Sequence, residues 1–293
     1  MNKKFLLIIC EGTSDRTTLY LPTKNYIKKK NITIQPAITH GDIALKENAT
    51  KESCEAKIKE IISKYKKQYS LYPSDFLGVY HIIDTDGALS PNDVYVQVDK
   101  GYYINEKEGL IYSEDVNKSK EINQNKREIY SYLLSLNKIA NVDYKVLFFS
   151  RNLEHALYNK ANCSNDEKVN LSNNFESEFE NDEDKFYQKI NECSFNVPHD
   201  YKDSWDYIMY GSNSMRRGTN YIVLLDLLKE FKWLWWLFLN SYWRSDCNLM
   251  VLFLIRSNED LPYIILLDNF VVFTFDSTIP FDSLNNNAFI TAS

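Results

Sequence analysis

The chain lacks what several classes of protein require. It has no surplus of positive charge: the formal net charge is −6 over 293 residues, so a nucleic-acid partner would have to be met by a local basic patch or through a bridging metal. It has no cysteine framework. The five cysteines (10, 54, 163, 193 and 247) are scattered, odd in number and without a Cys-x-x-Cys spacing, which fits free thiols in a reducing cytoplasm. Neither apolar run of the C-terminal region, 234–239 or 249–255, approaches the roughly 18 residues a membrane helix needs, so no membrane partner is expected. Only six apolar residues separate Lys4 from Glu11. That is too few for the core of a secretory signal, and the run reads better as a first β-strand. No internal repeat is visible, and no aromatic–basic array recurs at a defined spacing despite 21 tyrosines.

A composition of 44% hydrophobic and 25% charged residues is that of a soluble globular protein, with room for one large domain or a domain plus an appendage. Residues 4–10 form a short continuous apolar run, the pattern of a buried strand. A helix is expected over 14–30, capped by Thr13 or Ser14 and broken or kinked by Pro22. Ile32 to Thr39 reads as a second strand, closed by His40-Gly41-Asp42. Over 49–69, Cys54, Ile58, Ile61, Ile62, Tyr65 and Tyr69 share one helical face, with Glu55/Lys59 and Glu60/Lys64 paired on the other. A third strand follows at 76–83, an irregular excursion at 88–118, a helix near 120–137 and a fourth strand at Tyr144–Phe149. Strands alternating with helices predict an α/β fold with a parallel sheet flanked by helices.

Three stretches are expected: a metal-binding domain over 1–160, an acidic surface segment with a helical extension over 161–220, and an apolar region over 221–293. The last holds four of the five tryptophans within or beside 231–243. It reads as a β-rich or helical appendage, a partner-binding surface, or a C-terminus altered relative to relatives.

Two strands deliver acids at their C-terminal ends. Phe5–Cys10 runs into Glu11-Gly12-Thr13-Ser14-Asp15, and Leu77–Ile83 runs into Asp84-Thr85-Asp86-Gly87. In open α/β sheets this edge is where ligands bind. Carboxylates converging there, with no His or Cys cluster nearby, are hard oxygen ligands suited to Mg²⁺ or Mn²⁺ rather than zinc. Such an ion neutralises an attacked phosphate and generates a nucleophilic water near neutral pH. Gly12 allows a tight turn and lets backbone N–H groups face a phosphate. Asp15 either caps the following helix or supports the metal from outside its ligand set.

The Glu-Gly-x-x-Asp element followed by a distant Asp-x-Asp, each at the end of an apolar strand, resembles the Toprim fold. That fold is shared by topoisomerases, bacterial primases, small ribonucleases and phage-defence nucleases of the overcoming-lysogenisation-defect type. The resemblance covers roughly residues 3–155. It implies a Mg²⁺-dependent nuclease acting on DNA or RNA, with an ATPase as a possible partner subunit. Glu11 would be the general acid/base or a ligand doubling as one, and Asp84 and Asp86 would hold the ion. In Arg151-Asn152-Leu153-Glu154-His155, similar to an Arg-x-Leu-Glu pattern of the defence nucleases, Glu154 is either a further metal ligand or the start of a surface helix. Arg151 either contacts a scissile phosphate or forms a plain salt bridge. Residues 1–220 also resemble uncharacterised proteins of low-GC Gram-positive bacteria, from which no function carries over.

A second resemblance stands beside the first. Asp84-Thr85-Asp86-Gly87-Ala88-Leu89 is similar to the haloacid-dehalogenase phosphatase signature, in which Asp84 would be the phosphoryl-accepting nucleophile and Val146–Ser150 the second motif. In that family the signature lies on the first strand, whereas here two strands precede it. A non-catalytic Toprim-like binding subunit is the third alternative. Gly41 and Asp42 lie on the same expected edge, His81 and His155 read as structural, and Met215–Asn220 is a small basic cluster that either touches nucleic acid or is a solvated loop.

Overall fold

Phe5 to Cys10 is buried without interruption, which a strand achieves only when both faces of its sheet are covered. Alternate residues divide between the faces. Phe5, Leu7 and Ile9 join a core with Ile58 and Ile62, while Leu6 and Ile8, equally buried, take the opposite side. The computed structural model describes residues 4–29, 34–41, 43, 49–160, 162–179, 181–194, 196–229, 243–244, 249–256, 265–267 and 270–276. The chain divides into two units, Met1–Leu228 and Lys229–Ser293.

The first unit runs β1 (Lys4–Cys10), α1 (Thr13–Lys29), β2 (Ile34–His40), α2 (Lys51–Tyr69), β3 (Phe76–Asp84), β4 (Tyr95–Gln97), β5 (Tyr102–Asn105) and β6 (Leu110–Ser113). It continues with α3 (Val116–Ser135), β7 (Lys138–Ile139), β8 (Val142–Phe149), α4 (Leu153–Tyr158), α5 (Asn165–Phe179), α6 (Glu183–Cys193), α7 (Tyr201–Met209) and a last helix, α8, over 221–229. The main sheet has the order β2-β1-β3-β8-β7. Its first four strands are parallel, and β7 closes the edge antiparallel to β8. This is the α/β architecture expected, with helices packed on the sheet. Because β2 lies on one side of β1 and β3 on the other, the strand order reverses beside β1. A crevice opens at such a point, beyond the C-terminal ends of the strands.

Several local expectations are corrected. The cap of α1 is Gly12, not Thr13 or Ser14: the helix begins at Thr13, and Asp15 reaches back to accept the Gly12 N–H at 2.9 Å, half of a capping box. Pro22 does not break α1. A proline inside a helix costs about 3 kcal/mol, and burial of Leu19, Tyr26 and Ile27 on either side of it offsets that cost. On α2 the Glu55–Lys59 pair forms at 2.6 Å, but Glu60 pairs with Lys57 at 3.1 Å instead of Lys64. The excursion at 88–118 holds a small sheet of order β4-β6-β5. The acidic stretch after 161 forms α5 and α6, whose apolar face carries Phe175, Phe179 and Phe186. The second unit contains a four-stranded sheet with β9 (Trp243–Arg244), β10 (Leu249–Arg256), β11 (Ile265–Leu267) and β12 (Phe270–Asp276) in the order β11-β12-β10-β9. The run 234–239 lies outside the described residues, and no helix among the described residues is long and apolar enough to cross a membrane.

His81, inside β3, is fully buried as its strand position implied. Its Nδ1 lies 2.8 Å from the Tyr144 hydroxyl, and its Nε2 has no hydrogen-bond partner among the described residues. Burial lowers its pKa to about 3. The folded value lies below that of a free imidazole, so the unfolded chain binds a proton more tightly, and stability is lost as pH falls from about 6.5 toward 3. Between pH 7.5 and 5, His81 is expected to remove about 2 kcal/mol of stability. Urea unfolding of wild type and His81→Leu at both pH values measures it: the extra acid sensitivity should vanish in the variant, and an equal loss in both would refute it.

Candidate active site

Glu11 follows the last residue of β1, and Asp84 ends the neighbouring β3. Across the next ladder Asp84 sits in register with Phe149, the end of β8, two residues before Arg151. The ends of β3 and β8 are clasped together. The Thr85 N–H donates to the Phe149 carbonyl (3.1 Å), the Asp86 N–H to the Arg151 carbonyl (2.8 Å), and the Arg151 N–H to Thr85 Oγ1 (2.8 Å). These bonds hold two non-glycine residues in the left-handed region, Asp86 at φ 42° and Arg151 at φ 60°. Each such residue costs about 1–3 kcal/mol, and strain of this kind gathers at functional sites.

The edge is dominated by carboxyl groups out of water. Glu11, Asp15 and Glu154 are 3%, 6% and 2% exposed. Burial pushes the Glu11 pKa up to about 8; Lys126 opposes the shift, and Asp86 and Asp15 reinforce it. Asp84 is held well above the usual carboxylate range, by burial first and then by the charges of Asp15, Glu11, Asp86 and Glu154. Burial also raises Asp15, although the hydrogen bond from Gly12 works against it. Two lysines face these five acids. Lys126 Nζ lies 2.7 Å from Asp86 Oδ2, and Lys168 Nζ lies 3.3 Å from Glu154 Oε2. Apart from this ion pair, Glu154 Oε2 is buried with no hydrogen-bond partner among the described residues.

Glu11, Asp15, Asp84, Asp86 and Glu154 are therefore brought to one edge. Among the described residues, no three His, Cys, Asp or Glu side chains are preset around one point as a ligand cage. Glu154 lies in the first turn of α4, buried rather than on a surface helix start. Arg151 is 7% exposed and has no ion-pair partner among the described residues. The Gly12 N–H is already taken by Asp15. Ser150, in the stretch that could pass for a second phosphatase motif, turns its hydroxyl to the carbonyls of Ser214 and Arg216. Gly41 follows β2 and donates its N–H to the Cys10 carbonyl at 2.9 Å; Asp42 lies outside the described residues.

Three groups were missed from the sequence, all on α3. The Tyr130 hydroxyl donates to the Asp84 carbonyl at 3.0 Å and stands 3.4 Å from Glu11 Oε1. Lys126 supplies the charge at Asp86, and Asn123, 5% exposed, lies one turn before it. The signal for them was present: Asn123, Lys126 and Tyr130 recur at three- and four-residue spacing, a polar stripe on the same face as Ile129 and Leu133. No family model, curated protein or solved structure matches this chain.

Proposed function

We propose that this chain is a Mg²⁺- or Mn²⁺-dependent nuclease, resembling the Toprim nucleases of phage defence, with its chemistry at the edge formed by Glu11, Asp84 and Asp86. The observation that carries the reading is the crowding of buried carboxyl groups at the strand-order reversal, where Glu11 is pushed to about 8 and Asp84 well upward. The donor set is hard oxygen throughout, which fits these ions in kind. Glu11, Asp84 and Asp86 would hold the ion, with Glu154, whose Oε2 lacks a hydrogen bond, as a further ligand. When bound, the ion would neutralise the phosphate and supply an activated water.

The chain's own groups do the rest. Tyr130 fixes the end of β3 through the Asp84 carbonyl and keeps Glu11 in place. Without the ion Glu11 keeps its proton near neutral pH; it would either give that proton up to hold the ion or, left outside the ligand set, pass it to a leaving oxygen. Lys126 balances Asp86 until a stronger cation replaces it. A nucleic acid is then the substrate, and an ATPase is the candidate partner subunit. Purified full-length protein is expected to cleave plasmid DNA, single-stranded DNA or tRNA with Mg²⁺ or Mn²⁺ and not with EDTA, and Asp84→Asn should fall to background. Cleavage that survives Asp84→Asn, or turnover of a phosphomonoester with no nucleic acid cut, would overturn the reading.

A further inference from the structure

Beside the acid edge runs a feature of opposite charge. A cavity of about 400 Å³ is lined by Glu106, Lys107, Asn159, Arg216 and Arg217. Its walls come from the β5–β6 turn, the C-terminal cap of α4 and the segment before α8. Glu106 is braced, with Oε2 3.0 Å from His155 Nε2 and Oε1 accepting the Arg217 N–H at 3.4 Å. The Arg217 guanidinium is occupied by the Ala156 and Leu157 carbonyls at 2.6 and 2.9 Å. Lys107 and Arg216 differ: both are exposed, and neither has an ion-pair partner among the described residues.

Arg151 links this groove to the acids. It is nine-tenths buried without an ion pair among the described residues, its carbonyl accepts the Asp86 N–H, and the charges acting on it include those of Glu106 and Asp86. Over the same turn lies Tyr102. A Cβ added at Gly87 would come within 2.6 Å of its hydroxyl, so only glycine allows the approach. The Tyr102 hydroxyl is anchored by Asn123 Nδ2 at 3.4 Å, while the residue stays 46% exposed.

We propose that Tyr102, Arg151 and the Lys107/Arg216 groove form the track of a single-stranded nucleic acid, which rests on the reading of the acid edge as its cleavage site. An exposed ring takes an unstacked base, and unpaired cations beyond it take backbone phosphates. A duplex offers Tyr102 no free base face. The net charge of −6 repels a polyanion from the chain as a whole, so a strand has to follow local cations.

Full-length protein is titrated in EDTA against fluorescein-labelled oligo-dT, oligo-U and a matched duplex, with anisotropy followed over a range of salt. Single strands should bind about tenfold more tightly than duplex. The double variant Lys107→Ala/Arg216→Ala should weaken binding about tenfold and flatten the salt slope by about 1.4, or 0.7 per phosphate contact. Tyr102→Leu should weaken it about tenfold with the slope unchanged, and Tyr102→Phe should bind as wild type does. Preference for duplex, a Lys107→Ala/Arg216→Ala or Tyr102→Leu variant that binds as wild type does, or no binding at all would overturn the track. Displacement of the oligonucleotide by equimolar inorganic phosphate or a nucleoside monophosphate would assign the groove to a free anion and overturn it as well. Divalent-dependent cleavage with variant-insensitive binding overturns the track and spares the nuclease; variant-sensitive binding without cleavage does the reverse.

Discussion

Glu11→Gln is expected to stabilise the protein at alkaline pH and to abolish its activity. The sign follows from the direction of the shift. The folded-state pKa of Glu11 is raised from 4.5 to about 8 by burial and by Asp86 and Asp15, so the folded chain holds this proton more tightly than the unfolded one. The associated stability is fully present below about pH 4.5 and is lost as pH rises through 8. Glutamine mimics the protonated form at every pH. One pKa unit corresponds to about 1.4 kcal/mol, so at pH 9 the variant should exceed wild type by a few kcal/mol, with the difference vanishing near pH 4.5. Mg²⁺ should restore part of the wild-type loss and do less for the variant, which has one charge fewer to offer the ion. Cleavage should fall by about 10²–10⁴-fold, the range for a positioned acid or base. Chemical denaturation from pH 4.5 to 9, beside a nuclease assay, tests both halves. A variant less stable than wild type at pH 9 would show that Glu11 is a structural group, and its catalytic role would fall with it.

Cutting the chain after Asn220 is expected to unfold the first unit, and cutting it after Leu228 to leave that unit folded. The apolar C-terminal stretch was expected to begin at 221, yet the next eight residues belong to the first unit. Tyr221, Ile222, Leu224, Leu225 and Leu228 are all 0% exposed. At roughly 1.5–3 kcal/mol for each buried side chain, their removal costs on the order of 10 kcal/mol, comparable to the whole stability of about 5–15 kcal/mol of a typical domain. Polar ties go as well. The Tyr221 hydroxyl lies 2.8 Å from Thr23 Oγ1, and the Tyr26 hydroxyl donates to the Leu225 carbonyl at 3.2 Å. Both fragments can be compared by solubility and by the cooperativity of thermal melting. A folded 1–220 fragment would show that α8 is dispensable.

The sheet and its acids were legible because both are local patterns. A fully buried parallel strand is a short continuous apolar run, and acids at its C-terminal end need only be adjacent in sequence; β1 with Glu11 and β3 with Asp84 and Asp86 satisfy both. Pro22 misled because propensity is a local cost that packing around α1 overrode. The strands at 95–113 escaped notice because three or four residues carry too little periodicity to separate a strand from a loop. Half-buried Lys126 and buried Tyr130 look, one residue at a time, like the polar members of an ordinary amphipathic helix. The strip of Tyr102, Lys107, Arg151 and Arg216 has no sequence spacing at all. It exists because the small sheet, the end of β8 and the segment before α8 arrive at one place, held by the Glu106–His155 contact, the Thr85–Arg151 hydrogen bond and the fit of Tyr102 over Gly87. Sequence determined which residues could do chemistry at the ends of strands, since backbone direction and burial are written locally. Which distant side chains join them was decided by tertiary packing alone, because loop ends meet only after the core has closed.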